Sequence, residues 1–137
     1  MNTADLYKEL ILDHSKNPKN FGKLEYANKQ AEGFNPLCGD HYFVDVIVNG
    51  DTITDIKFRG EGCAISKASA SIMTDQVKGR SLKLASELNK NFHRLIVGEQ
   101  DQAPNEYLQA FESLKDFPTR TKCASLPWHT LKEALNK

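Results

Sequence analysis

Each of the three cysteines in this chain lies beside a glycine-rich turn or at an expected helix start, and an aspartate accompanies the first. Cys38 and Asp40 fall in Asn35-Pro36-Leu37-Cys38-Gly39-Asp40, Cys63 in Gly60-Glu61-Gly62-Cys63-Ala64, and Cys123 in Arg120-Thr121-Lys122-Cys123-Ala124. Three thiolates and a carboxylate make a full tetrahedral set for zinc and serve equally as a cradle for an iron–sulfur cluster. Around a divalent zinc they leave two net negative charges, which call for a cationic or N–H neighbour. Arg120 is the expected neighbour, to a sulfur or to Asp40, with Lys122 the weaker candidate. Taken singly, a cysteine is ordinarily a small buried hydrophobe and Asp40 a turn residue. His41 begins a strand and is read as facing solvent; His14, His93 and His129 are read as structural.

The elements that must position these side chains follow from periodicity. Leu6, Leu10, Ile11 and His14 recur at helical spacing, which predicts a helix over about Thr3 to Lys16, stopped by Asn17-Pro18. Residues 17–42 read as loop with one short strand. Residues 42–48 and 52–59, joined by Asn49-Gly50-Asp51, read as an antiparallel hairpin. A helix is expected over Ala64–Lys78 with Gly79 closing it, and a short one over Ser81–Leu88 with Ser81 as its cap. Residues 89–103 carry no clear pattern. Pro104–Leu114 reads as helix, broken by Asp116-Phe117-Pro118. A last helix is expected from about Ala124 to Asn136, with Trp128, Leu131 and Leu135 inward and Pro127 in its first turn.

On this layout Gly39 lets the backbone turn so that Cys38 and Asp40 face one point. Cys63 and Cys123 each open a helix, where the dipole and free N–H groups favour thiolate. Three loops then converge at one end of a sheet. The class is α+β: a small antiparallel sheet of about three strands with helices packed on it, in one domain over residues 1–137.

Bulk charge narrows the partners. Lys+Arg and Asp+Glu number 18 each, so nothing draws the chain to nucleic acid or a membrane surface by net charge. No apolar run approaches the ~20 residues of a membrane span. The acidic start, Met1-Asn2-Thr3-Ala4-Asp5, predicts no export signal, and hence a reducing cytoplasm in which an odd set of three cysteines does thiolate chemistry.

The motifs resemble those of the IscU/NifU-like iron–sulfur assembly proteins, most closely their SufU branch. Leu6-Tyr7 through His14 with Asn17-Pro18-Lys19-Asn20-Phe21-Gly22 is similar to the family's opening helix and loop. The Cys38 motif, and Gly60 to Ser66 with Ala68-Ser69-Ala70-Ser71, are similar to its first two cysteine motifs. An added segment between Cys63 and Cys123, Lys122 where IscU proteins carry histidine, and the missing proline-rich chaperone tag resemble SufU. Pro127 departs from the small residue expected there.

The SufU resemblance implies a zinc site of Cys38, Asp40, Cys63 and Cys123. It also implies a role as acceptor and carrier of persulfide sulfur from a pyridoxal-phosphate cysteine desulfurase, upstream of the cluster-assembly machinery. Cys38 is the expected acceptor, because its Pro36–Gly39 loop can swing while helix-opening cysteines stay put; the resemblance implies the same exchange, with a desulfurase side chain taking its place on the metal. Two alternatives use the same residues. One is a scaffold assembling a [2Fe–2S] cluster, the other a structural zinc-binding adaptor with inert sulfurs. A carboxylate in place of a fourth thiolate weighs against the adaptor, since a harder ligand makes the shell easier to open.

Overall fold

The computed structural model describes residues 3–137, with the side chains of Thr3, Ala4 and Leu6 left out. Helix α1 (Thr3–Lys16) leads into strands β1 (Lys29–Asn35), β2 (Asp40–Asn49) and β3 (Thr52–Glu61). Helices α2 (Ala64–Val77), α3 (Leu82–Ile96), the single turn α4 (Glu106–Gln109), a 3₁₀ turn (Glu112–Asp116) and α5 (Pro118–Leu135) follow. The three strands form one antiparallel sheet in the order β1-β2-β3. The expected class and hairpin are therefore present.

Period-two burial drives the sheet onto the helices: Tyr42, Val44 and Val46 from β2 and Ile56 and Phe58 from β3 are fully buried. The register shifts at Ile47/Val48, where Val48 pairs Ile53 while Ile47 pairs Asp55. Thr54 is the extra residue, and this bulge lets Ile53 and Ile56 face the core despite their odd spacing. Against this face lie α2, through Ala68, Ile72 and Met73, and α5, through Ala124, Trp128 and Leu131. Trp128 stacks on Phe92 at 4.9 Å and Phe92 meets Phe111 edge-on at 5.3 Å, which ties α3 and the 104–116 segment to α5.

Helix α2 is unusual in burying four polar side chains, Ser66, Ser69, Ser71 and Thr74, and each has a partner. Ser69 Oγ donates to the Ala124 carbonyl at 2.6 Å, and Ser71 Oγ meets His14 Nδ1 and the Lys19 N–H, each at 2.7 Å. These bonds fix the faces on which α1 and α5 meet α2. His14 is structural as expected; the expected inward role of Leu6 lies outside the described side chains.

Three boundaries differ from the sequence reading. Helix α3 continues through residues 89–96, because Phe92, Leu95 and Ile96 extend the buried stripe of Ala85 and Leu88. The Pro104–Leu114 helix is instead one α turn, capped by Asn105, and a separate 3₁₀ turn. Helix α5 starts at Pro118, since proline fits the first helical position, and Pro127 lies in its interior. A cavity of about 710 Å³ opens between α3 and α5, and none of the three cysteines lines it.

Burial, ahead of every charge near it, lowers the His14 pKa from its usual range. The fold thus favours the neutral ring, so His14 contributes stability above about pH 6.5 that is lost as pH falls below it. The melting temperature should drop between pH 7 and pH 5, and His14→Gln should flatten part of that slope. An unaltered slope in the variant would show that His14 carries none of it.

Candidate metal centre

The site is assembled by one turn, one helix cap and one helix interior. Between β1 and β2, the Asn35 side-chain oxygen accepts the Leu37 N–H at 3.1 Å and the Asn35 carbonyl accepts the Gly39 N–H at 2.8 Å. Gly39 adopts φ +74°, the left-handed turn expected of it, and Cys38 is exposed while Asp40 is fully buried. At the far end of β3, Gly60 takes φ +137°, and a Cβ there would lie 2.0 Å from the His41 carbonyl oxygen. Gly62 is required for space rather than for φ: a Cβ would fall 2.4 Å from the Tyr42 hydroxyl and 2.6 Å from Asp40 Oδ1.

Cys63 caps α2, as expected, with its sulfur accepting the Ser66 N–H at 3.5 Å. Its own N–H donates to Asp40 Oδ1 at 2.9 Å, and its sulfur lies 4.0 Å from Asp40 Oδ2. Cys38 Sγ and Cys123 Sγ are 3.2 Å apart. One ligand atom each from Cys38, Asp40 and Cys123 lies within 4.8 Å of the others. Cys63 falls outside that tight trio and joins it through its Asp40 contacts.

Cys123 corrects the sequence reading. It is the sixth residue of α5, buried, and does not open the helix. The dipole argument for a thiolate there is lost. Burial instead pushes the Cys123 thiol up, reinforced by the hydrogen bond to Cys38 and by Cys63 and Asp40. The residue four places on is Pro127, which has no N–H to offer the Cys123 carbonyl.

Arg120 is exposed, with its guanidinium 4.9 Å above the Phe117 ring. Among the described residues it makes no ion pair or hydrogen bond to Asp40 or a sulfur, so the expected direct contact is not formed. Lys122 is also exposed. His41 is half-exposed on the sheet, paired with Glu32 and in ring contact with Phe34 and Phe43, consistent with its reading as a non-ligand. Sequence reasoning missed Tyr7, Tyr42 and Ser66. Among the described residues the Tyr7 hydroxyl is buried without a hydrogen-bond partner; burial raises its pKa, Arg120 lowers it, and Cys63 and Cys123 raise it further. It stands in the same electrostatic neighbourhood as the two sulfurs.

A metal fits these residues. Asp40 has no exposed surface and no Lys or Arg partner among the described residues, and a buried carboxylate without a counter-charge is costly. Facing it is the Cys123 thiol, whose ionisation burial disfavours. A divalent cation reverses both penalties and deprotonates the thiols. The donor set, sulfur with one carboxylate, suits zinc.

The pattern of the NifU-like N-terminal domain matches residues 6–137. The chain belongs to that family. It is 38% identical over 138 residues to the zinc-dependent sulfurtransferase SufU of Bacillus subtilis, covering 99% of this chain and 93% of that protein. It is 39% identical to the iron–sulfur cluster assembly scaffold protein IscU of Streptococcus pyogenes, covering 96% and 84%. A solved structure, a putative scaffold for the SUF system from Fervidobacterium islandicum, superimposes with a TM-score of 0.86 at 39% identity, covering 98% and 99%. The fold expected from the resemblance is therefore that of the family. No helix among the described residues is long and apolar enough to cross a membrane.

Because three separate elements supply the donors, removing the metal should loosen all of them. Chelation should lower the melting temperature by roughly 10 °C or more. The metal-dependent increment should shrink as pH falls below neutral, since protons compete for the thiolates. Identical melting curves with and without chelator would refute the metal assignment.

Proposed function

We propose that this protein is a zinc-dependent sulfur acceptor in iron–sulfur cluster biogenesis, taking sulfur from the persulfide of a pyridoxal-phosphate cysteine desulfurase. The observation that carries the reading is the contrast between Cys38, exposed on a turn, and Asp40 and Cys123, buried beside it. A purely structural centre has no use for an exposed thiol, whereas an acceptor must present one sulfur to a partner and keep the others in place. The Bacillus relative's name supports the same role.

Zinc held by Cys38, Asp40, Cys63 and Cys123 would supply the missing positive charge and keep the thiols deprotonated. The chain does the rest. The Pro36–Gly39 turn can move Cys38 outward without unpacking a helix. The Cys38 thiolate then attacks the outer sulfur of the partner's Cys–S–SH. A new S–S bond forms at Cys38 as the partner's S–S bond breaks. The partner's cysteine leaves with the bonding electron pair as a thiolate, and the persulfide proton goes to solvent or to that thiolate. Sulfane sulfur passes unchanged in oxidation level, so no outside oxidant or reductant is needed.

Arg120 enters this reading as a guide for the incoming anion. It lies three residues before Cys123, on the same side of α5, and is exposed at that end of the site. Arg120→Ala should slow sulfur uptake several-fold at low salt, with less effect at high salt, and leave metal content unchanged. Equal rates for variant and wild type at low salt would remove Arg120 from the mechanism.

The scaffold reading is favoured by the Streptococcus relative and uses the same ligands. Incubated with desulfurase and cysteine, the wild type should gain one sulfur on Cys38 by mass spectrometry and stay colourless with one zinc. Cys38→Ser should gain none. Label on Cys63 or Cys123, or persisting in Cys38→Ser, would overturn the acceptor assignment, and a brown protein as purified would favour the scaffold.

A further inference from the structure

The groove between α3 and α5 takes no part in the metal centre, and its lining is patterned. It runs from Leu82 to Arg94 on α3 and from Ser125 to Asn136 on α5. Lining residues recur in steps of three and four on both helices, as in Leu82, Ala85 and Asn89, and in Trp128, Lys132 and Leu135. The groove therefore follows the two helices for about three turns, or about 16 Å. Ala85, Phe92, Trp128 and Leu131 are buried and give it an apolar floor.

The polar groups around that floor want acceptors. Lys90, Arg94 and Lys132 line the groove against one acid, Glu99, which leaves two net positive charges with the histidines neutral. In a chain whose charges balance at 18 and 18, that excess is local. Among the described residues neither Lys90 nor Lys132 makes an ion pair. Arg94 donates to the uncharged amides of Gln100 at 2.9 Å and Asn91 at 3.2 Å, so its charge is not neutralised. The Trp128 indole N–H is buried without a hydrogen-bond partner.

We propose that this groove docks an amphipathic helix of a partner protein, one whose apolar stripe is flanked by Asp or Glu. A helix of about eleven residues matches the length of the groove and lays its stripe along the floor. Lys90 stands on the α3 wall and Lys132 on the α5 wall, which suits a row of carboxylates on each side of a stripe rather than a single acid group. None of the cysteines lines the groove, so such a partner can sit here while Cys38 is engaged elsewhere. The inference does not rest on the acceptor reading.

Trp128 is the only tryptophan in the chain, so its fluorescence reports from this groove. The probes are two synthetic, tryptophan-free helical peptides with the same Leu/Ala stripe, flanked by Glu in one and by Lys in the other. Each is titrated into the full metal-loaded chain at about pH 8, where unperturbed histidine is neutral. The Glu peptide should shift the Trp128 emission saturably, bind at least tenfold tighter than the Lys peptide, and weaken as salt is raised. The double variant Lys90→Glu/Lys132→Glu alters two exposed side chains and leaves the groove two net negative charges. It should reverse the preference, with melting temperature and metal content unchanged. No binding by the Glu peptide, equal binding of both peptides, or an unaltered preference in the double variant overturns the proposal. Dodecanoate that shifts the emission where the Glu peptide does not would assign the groove to a small organic acid and overturn it too.

Discussion

The Asp40 carboxylate, wholly buried and bonded through Oδ1 to the Cys63 N–H, is the constraint from which the site follows. That bond joins the first residue of β2 to the cap of α2, twenty-three positions later. To let the chain pass so close, residue 62 must have no side chain, since a Cβ would collide with Asp40, Tyr42 and Ser66 together. Residue 60 must turn with positive φ against the His41 carbonyl. One oxygen of Asp40 is satisfied by a backbone N–H and the other meets the Cys63 sulfur at 4.0 Å, while its charge has no Lys or Arg partner among the described residues. The buried Cys123 thiol faces the same want of positive charge. The fold thus leaves a group of donors electrostatically incomplete, one that a cation could complete.

The three cysteines occupy supports of graded stiffness. Cys123 sits within an eighteen-residue helix anchored by Trp128 on Phe92 and by Ser69 on the Ala124 carbonyl. Pro127 removes one helical hydrogen bond at the Cys123 carbonyl, yet packing on both flanks keeps the helix in place. Cys63 stands at a helix cap, where the Ser66 N–H reaches its sulfur. Cys38 has a turn and little else. Stiffness therefore falls in the order in which exposure rises, so the sulfur free to move is also the one a partner can reach.

Much of this was legible in the sequence, for reasons that differ by element. The hairpin announced itself through Asn49-Gly50 and flanking alternation, and α1 and α2 through apolar spacing. Gly39 between Cys38 and Asp40 pointed to a turn before any coordinates did. The start of α5 was misread because Asp116-Phe117-Pro118 is both a helix breaker and a helix opener, and Pro127 pulled the expected start downstream to suit itself. Tertiary packing, not local propensity, settles where an eighteen-residue helix with an internal proline begins. Arg120 failed as a contact because three residues of helix separation fix a side, not a partner, and Phe117 offered a nearer one. Ser66 and Tyr42 were hidden for a plainer reason. A serine in a helix and a tyrosine in a strand carry no pattern of their own, and only the fold shows them meeting beside Cys63.

The two curated relatives described above are almost equally similar to this chain, yet one is named a sulfurtransferase and the other a scaffold. Overall identity therefore cannot separate the two chemistries, and neither can the ligand set, which serves both. What separates them physically is which ligand lets go. A scaffold must hold several donors through the growth of a cluster, so it gains from a matrix in which all are comparably restrained. A carrier needs one donor that leaves and returns while the others keep the metal. In this chain the restraints are unequal, and the inequality comes from what carries each cysteine: the turn under Cys38, the helix cap at Cys63, the packed helix around Cys123. Function in such a site is decided less by the atoms that bind than by the stiffness of what each is attached to.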